Sequence, residues 1–169
     1  MSDHEKIVVA YTTLRANRDN WTMPEFQSTI GQVFYSLVSS IKNHTNIMSK
    51  NVFNSDDDKN DHDHCFSPYF IIRYIMNNAD EYLEDFEAFS NIIDLTTKTI
   101  EVTKEENKAL RKQTKNVGGN VYLKQSLLDK YKDANIQLIG PHGEIDFPFT
   151  LPESLLEYEK RHITPSEFI

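Results

Sequence analysis

Apolar residues recur at helical spacing near the start of the chain and predict a pair of helices. Ile7, Val8, Tyr11 and Leu14 form the first, short stripe, which the polar stretch ANRDN ends. In the segment that follows, Thr22 to Glu25 has the Thr-x-Pro-Glu arrangement of a capping box, which predicts the start of a second helix. The stripe of that helix comprises Phe26, Ile30, Val33, Phe34, Leu37 and Ile41.

The same segment contains IVVAY at residues 7–11, PEF at residues 24–26 and a V..SLVSSI ending at Ile41. Through these motifs it resembles the N-terminal region of the MucR/Ros family of bacterial regulators. That family also carries a Cys/His zinc finger later in the chain, and the single cysteine here, Cys65, does not supply one. We therefore do not assign the chain to this family. Packing in a core is the first interpretation of the long stripe, and a homodimer through the N-terminal helices is the second.

The stretch NSDDDKNDHDHC, residues 54–65, contains five aspartates, two histidines and the only cysteine. An EF-hand calcium loop needs glycine at position six and glutamate at position twelve. Counted from Asp56, these positions hold Asp61 and Ser67, which excludes that loop.

A zinc site remains open as an alternative for this stretch. His62, His64 and Cys65 could bind zinc with His44 or His142 from elsewhere. The surrounding Asn, Ser, Asp and Lys residues instead favour a flexible acidic linker over residues 45–66.

A central buried helix is predicted after this stretch by SPYFIIRYIM, with Ser67 as N-cap and Pro68 at the first helical position. ADEYLEDFEAFSNIIDL then predicts a further helix. Its apolar stripe is Tyr82, Leu83, Phe86, Phe89 and Ile93. Its other face is acidic and carries Asp80, Glu81, Glu84, Asp85, Glu87 and Asp94 without an intervening lysine or arginine.

An uninterrupted acidic face is usually a solvated surface, but it also suits a basic partner. We take Asp80, Glu81, Glu84, Asp85 and Glu87 as candidate partner-binding residues.

Charge reverses in the C-terminal part. Residues 98–132 contain nine Lys or Arg against four Asp or Glu, in a chain of net charge −8. Clustered lysines supply the sequence-independent part of nucleic-acid affinity, although the basic segment could equally pair with acidic parts of the same protein.

The order of elements in this region resembles that of a winged helix-turn-helix. TKTIEV predicts a strand, and TKEEN is a capping box that starts a helix at Lys104. After Gly118 and Gly119 we expect a recognition helix from about Asn120, with a strand over Val121 to Lys124 as the alternative. A β-hairpin near residues 136–149 would be the wing, with His142 on it. The candidate DNA-binding residues are Lys112, Lys115, Asn120, Lys124 and Gln125.

Enzyme motifs are missing from the sequence. It has no Gly-x-Ser-x-Gly elbow, phosphate-cradling glycine loop or His-Glu-x-x-His motif. Cys65 has an acidic neighbourhood that disfavours its thiolate. The alternating His142, Glu144 and Asp146 are more typical of a turn and an exposed strand face than of a catalytic group. We expect no enzyme and no cofactor.

Composition agrees with a folded protein of two modules, since 38% of the 169 residues are hydrophobic and 26% charged. We expect a mainly helical α+β fold: a helical pair in residues 1–44, the linker, and an α+β domain in residues 67–169. The absence of a long apolar run and of a signal peptide predicts a cytoplasmic protein without a membrane segment.

Two functions fit these features. The first is a non-enzymatic regulatory or inhibitory protein, such as a viral or mobile-element accessory protein, which binds another protein through its acidic residues. The alternative is a DNA-binding transcription regulator with a winged-helix-like C-terminal region.

Overall fold

The computed structural model describes residues 1–111, 114–117 and 120–163 and has an α+β fold. The helices are α1 Asp3–Ala16, α2 Pro24–Val38, α3 Lys50–Phe53, α4 Pro68–Asn77, α5 Ala79–Tyr82, α6 Phe86–Thr96, α7 Lys104–Leu110, α8 Lys130–Asp133 and α9 Glu153–Lys160. The strands are β1 Asn43–Ser49, β2 Asp61–His64, β3 Lys98–Val102, β4 Thr114–Val117, β5 Asn120–Leu123, β6 Leu138–Gly140 and β7 Gly143–Ile145. Within these described ranges, no helix is long and apolar enough to cross a bilayer.

The chain forms two compact units, and it passes through each of them twice. The first unit consists of Met1–Asn43 and Phe66–Thr97. The second consists of His44–Cys65 and the chain from Lys98 onward. This division differs from the expected order of helical pair, linker and α+β domain.

The first unit is helical, and α4 is its most deeply buried helix. Ser67 is the N-cap of α4 and Pro68 its first residue, as the sequence predicts. As the prediction of a central buried helix requires, Phe70, Ile71, Tyr74 and Ile75 are all buried. Helix α2 packs on both α1 and α4, so the predicted helical pair is part of a larger helical unit.

Of two predicted capping boxes, one is absent and one is present in the structure. Helix α2 begins at Pro24 with Met23 as N-cap, so the Thr22 hydroxyl does not cap it. Proline at the first helical position places the N-cap at the residue before it. The capping box at Thr103, by contrast, is confirmed, since its hydroxyl accepts from the Glu106 N–H at 3.1 Å.

The second unit contains a five-stranded sheet of order β2-β3-β1-β6-β7. Strand β2 pairs antiparallel with β3, from Asp61 opposite Val102 to His64 opposite Thr99. The predicted C-terminal hairpin is present as β6 and β7, which turn between Gly140 and Gly143. Gly143 has φ +119°, a backbone conformation that residues other than glycine rarely adopt.

The expected linker, residues 45–66, contains most of β1, all of α3 and all of β2. The segment has the polar composition of a linker, and even its strand β2, the tetrapeptide DHDH, has no apolar residue. Strand β2 nevertheless has a buried side, since Asp63 is only 8% exposed. A polar strand of this kind lacks the alternation of apolar residues on which strand prediction depends.

The expected recognition helix from Asn120 is a strand. Residues Asn120–Leu123 form β5, which pairs antiparallel with β4 in a separate two-stranded sheet. Burial alternates along this segment, as it does in a strand with one buried side. Val121 and Leu123 are buried, while Asn120 is exposed and Tyr122 is partly exposed. The strand that the sequence offers as an alternative is therefore the one observed.

Candidate functional site

The candidate partner-binding residues form an exposed acidic surface in the first unit. We use the name acidic surface for Asp80, Glu81, Glu84, Asp85 and Glu87, all of which are solvent-exposed. The predicted single helix is divided here into α5 and α6, and the acidic surface spans the junction. The apolar side chains Tyr82, Leu83, Phe89 and Ile93 are buried as the sequence predicts.

Asp85 accounts for the division of this helix. Its backbone is extended, at φ −134° and ψ 108°, and its carboxylate accepts hydrogen bonds from the N–H groups of Glu87 and Ala88, at 2.9 and 3.4 Å. A carboxylate at an N-cap satisfies helix-end donors and interacts favourably with the helix dipole. Asp85 therefore has a structural role in addition to its charge.

Arg18 supplies a counter-charge to the acidic surface. Its guanidinium donates to Glu84 Oε1 at 2.8 Å and to Asp80 Oδ1. The hydrogen bond from Arg18 to Asp80 is the main cause that raises the pKa of Arg18. These pairs are solvated, with the Asp80 side chain 94% exposed, so they contribute little stability. Five carboxylates and one guanidinium leave a formal charge of −4.

A cleft of about 500 Å³ lies beside this ion pair. Arg18, Asp19, Trp21, Asp80 and Glu81 are among the residues that line it, together with Met76. The cleft thus combines an aromatic ring and an apolar side chain with several carboxylates. Aromatic residues in partly enclosed positions are common anchors of protein interfaces.

The candidate DNA-binding residues belong to β4, β5 and their flanks in the second unit. We call the two-stranded sheet β4–β5 the basic ribbon. Lys115, opposite Tyr122, and Asn120 are exposed on it, and exposed Lys124 follows β5 directly. Gln125 is partly buried, and Lys112 lies outside the described residues. Lys124, predicted on the recognition helix, thus directly follows a strand, and Lys115 lies on the strand that pairs with it.

A buried polar cluster in the second unit was not anticipated from the sequence. It comprises Asp63, Cys65, Lys130 and Tyr131. Lys130 Nζ donates to Asp63 Oδ2 at 2.8 Å and to the His64 carbonyl at 2.9 Å. The Tyr131 hydroxyl contacts Asp63 Oδ2 at 2.8 Å and Cys65 Sγ at 3.0 Å.

All four side chains of this cluster are enclosed, with Lys130 2% and Cys65 1% exposed. Burial raises the pKa of Cys65 to about 12, and the nearby Asp63 carboxylate acts in the same direction. Burial is also the main cause that raises the pKa of Tyr131 well above 10.0. The cluster therefore holds a protonated thiol and a neutral phenol around a Lys–Asp ion pair, an arrangement suited to joining β2 to α8.

Among the described residues, the histidines near Cys65 do not form a group of metal ligands. In the part of the chain that the structure describes, no three His, Cys, Asp or Glu side chains are grouped as metal ligands. The His62 ring lies 4.0 Å from the His44 ring between centroids, while His44 Nδ1 is 2.7 Å from the Thr99 hydroxyl oxygen. Among the alternating residues His142, Glu144 and Asp146, Glu144 forms an ion pair with Lys50. Its Oε1 lies 3.0 Å from Lys50 Nζ.

Comparison with known proteins gives no match: no family model, no curated protein and no solved structure matches the chain.

Proposed function

We propose that this chain is a non-enzymatic regulatory or inhibitory protein that binds a basic surface of another protein. The observation that carries the proposal is the acidic surface, whose five carboxylates lie within eight consecutive residues and are all exposed. Dense like charge on a folded surface costs electrostatic free energy. A basic partner would relieve that cost, and it would associate faster through electrostatic steering.

The cleft beside the acidic surface supports a protein partner in particular. Trp21 and Met76 offer apolar contact area next to Asp80 and Glu81. A lysine or arginine side chain has an apolar stem and a charged end, so it can use both kinds of lining. Small accessory proteins of viruses and mobile elements are one class in which we expect such a function.

A non-enzymatic function is supported by the state of Cys65. The thiol is buried, and its pKa of about 12 leaves almost no thiolate near neutral pH. Its neighbours Asp63 and Tyr131 are engaged with each other and with the thiol. This nucleophile candidate is therefore unreactive in the folded protein.

A DNA-binding regulator with a winged-helix-like C-terminal region is the second candidate. The hairpin β6–β7, with His142 in its turn, supports it, because a winged helix uses a β-hairpin as its wing. Strand β5 stands where a recognition helix is needed, which weighs against this arrangement.

We also propose a homodimer through the N-terminal helices, since Val8, Val9 and Val33 are exposed apolar residues on them.

Capture of proteins from cell lysate tests the main proposal. The test variant combines Asp80→Asn, Glu81→Gln, Glu84→Gln and Glu87→Gln, and keeps Asp85 because it caps α6. The matched control removes four exposed carboxylates of the second unit through Asp56→Asn, Asp58→Asn, Glu105→Gln and Glu153→Gln.

Both variants change the net charge equally, so a general charge effect would affect them alike. We expect the wild type and the control to retain the same proteins, and the test variant to lose them. Equal capture by the test variant would contradict the proposal.

A further inference from the structure

The cleft beside the acidic surface lies entirely within the first unit. Its volume is about 500 Å³, which is within the range of sites that enclose small ligands. Two short segments line it, residues 18–22 and residues 76–81. The first begins with a turn of 3₁₀ helix over Arg18–Asn20, and the second joins α4 to α5. The cleft is therefore large enough to hold one side chain of a partner protein.

The charge of this lining favours a cation. Among the described residues that line the cleft, the charged ones are three carboxylates, Asp19, Asp80 and Glu81, and one guanidinium, Arg18. They leave a formal charge of −2, and all three carboxylates are exposed. A cleft with an excess of one sign of charge concentrates ions of the opposite sign. Its ligand should therefore be positively charged, as a basic partner requires.

Arg18 shows how the rim of the cleft binds a guanidinium group. Its Nη1 lies 2.8 Å from Glu84 Oε1, and its Nη2 donates to Asp80 Oδ1. The side chains of Glu84 and Asp80 are 57% and 94% exposed, so these ion pairs are weak and leave both carboxylates accessible. A planar guanidinium with five donors can bridge two carboxylates, whereas an ammonium acts as a point charge. The carboxylates of the rim are thus spaced for a guanidinium.

Trp21 adds an aromatic face to the same cleft. It follows the 3₁₀ turn directly, its backbone N–H donates to the Arg18 carbonyl at 3.3 Å, and it is partly exposed. Among aromatic side chains, the indole ring attracts cations most strongly. A guanidinium also stacks on such a ring and is more weakly hydrated than an ammonium, so it loses less on leaving water. An aromatic lining of this kind therefore favours arginine over lysine.

We propose that the cleft binds the side chain of an arginine on the basic partner, and that Trp21 makes it prefer arginine to lysine. The guanidinium stacks on the indole ring and lies beside the carboxylates of Asp19 and Glu81. This inference rests on the proposed function, because it names the chemical group of the partner that the acidic surface attracts. It adds two binding residues that lie outside the acidic surface, Trp21 and Asp19.

Two capped peptides of equal length and charge test this preference, one alternating arginine with glycine and the other lysine with glycine. Because Trp21 is the only tryptophan of the chain, its fluorescence reports on the cleft, and calorimetry measures the affinity independently. The variant is Trp21→Leu, which keeps an apolar side chain but removes the ring. The matched control is Tyr35→Leu, which removes an exposed ring of the same unit that stacks on Tyr69 outside the cleft.

We expect the wild type to bind the arginine peptide about three- to tenfold more tightly than the lysine peptide, with a change in Trp21 fluorescence. Trp21→Leu should reduce this ratio to about one and leave the affinity for the lysine peptide nearly unchanged. Tyr35→Leu should keep the wild-type ratio. Circular dichroism would show whether Trp21→Leu is folded. If it is not, Trp21→Phe decides, because a smaller ring should give an intermediate ratio.

Equal affinity of the wild type for the two peptides would overturn the inference, and so would an undiminished preference in the Trp21 variants. Binding of the arginine peptide without a change in Trp21 fluorescence would place it outside the cleft and would also overturn it. These results leave the proposed function intact, because that function is tested by the loss of protein capture when the acidic surface is neutralised. If neither peptide binds at low salt, both the inference and the proposed function are contradicted.

Discussion

Lys130 is the residue whose surroundings differ most from what its sequence context indicates. It lies in a segment rich in basic residues, yet it is 2% exposed and bound to Asp63 and to the His64 carbonyl. Desolvating two charges is costly, so an ion pair of this kind stabilises a protein only when its hydrogen bonds are complete. Here both partners are also bonded to other groups.

Replacing one partner of this pair should be strongly destabilising. Lys130→Met leaves the Asp63 carboxylate buried without its cation, and we expect the free energy of unfolding to fall by roughly 3–5 kcal/mol. Urea denaturation would measure the change.

The double variant Lys130→Met with Asp63→Leu is the control, because it removes both charges. It should be more stable than the single variant. A single variant as stable as the wild type would show that the pair is not buried in solution.

The raised pKa values of Cys65 and Tyr131 make the free energy of unfolding depend on alkaline pH. The pKa of the Cys65 thiol is raised from 9.0 to about 12 in the folded protein, so the folded state holds this proton more tightly than the unfolded state. The stabilisation is complete below pH 9 and is lost as the pH rises towards 12. The raised pKa of Tyr131 adds to this effect above pH 10.

We therefore expect the free energy of unfolding to decrease between pH 9 and pH 12. Cys65→Ala removes one contributor and should make the decrease shallower. Denaturation curves at several pH values would show this. Identical slopes for the wild type and Cys65→Ala would mean that the thiol has an ordinary pKa.

At the scale of elements, apolar patterning predicted well where one side of an element is buried. Helices α1, α2 and α4 lie where their apolar stripes indicate. Helix α7 begins where its capping box indicates, and the hairpin β6–β7 turns at the predicted glycines. Strand β2 was missed because its buried residue is Asp63, which only the distant Lys130 and Tyr131 make acceptable in a core. No local signal in DHDH indicates that pairing.

The acidic surface was predictable as a set of residues, but not its division or its counter-charge. All five carboxylates are exposed as expected. Their contact with Arg18 joins residues more than 60 positions apart, so it depends on the packing of helices. Lys124, which the sequence assigns to a recognition helix, instead follows strand β5.

The break between α5 and α6 should depend on the cap at Asp85. We expect Asp85→Ala to lower the free energy of unfolding by about 1 kcal/mol, since the N–H groups of Glu87 and Ala88 lose their acceptor. Asp85→Asn should retain most of the stability, because asparagine also accepts at an N-cap. Thermal unfolding of both variants would test this, and equal losses would assign the effect to charge alone.

For the whole molecule, the N-terminal helices determine the expected oligomeric state. Val8 and Val9 of α1 are 38% and 39% exposed. If they lie in a homodimer interface, Val9→Asp should convert the dimer to a monomer, because an unpaired carboxylate is unfavourable in an apolar contact. Light scattering would report the mass, with Asn91→Asp at an exposed position of α6 as control. A wild-type monomer at all concentrations would contradict the homodimer.

The central claim is that the acidic surface binds a basic partner. Once lysate capture has supplied a partner, its affinity for the wild type, the acidic-surface variant and the matched control should be measured by calorimetry at two salt concentrations. We predict at least tenfold weaker binding by the acidic-surface variant, with reduced salt dependence, and wild-type affinity for the control. Equal affinity of all three proteins would contradict the account.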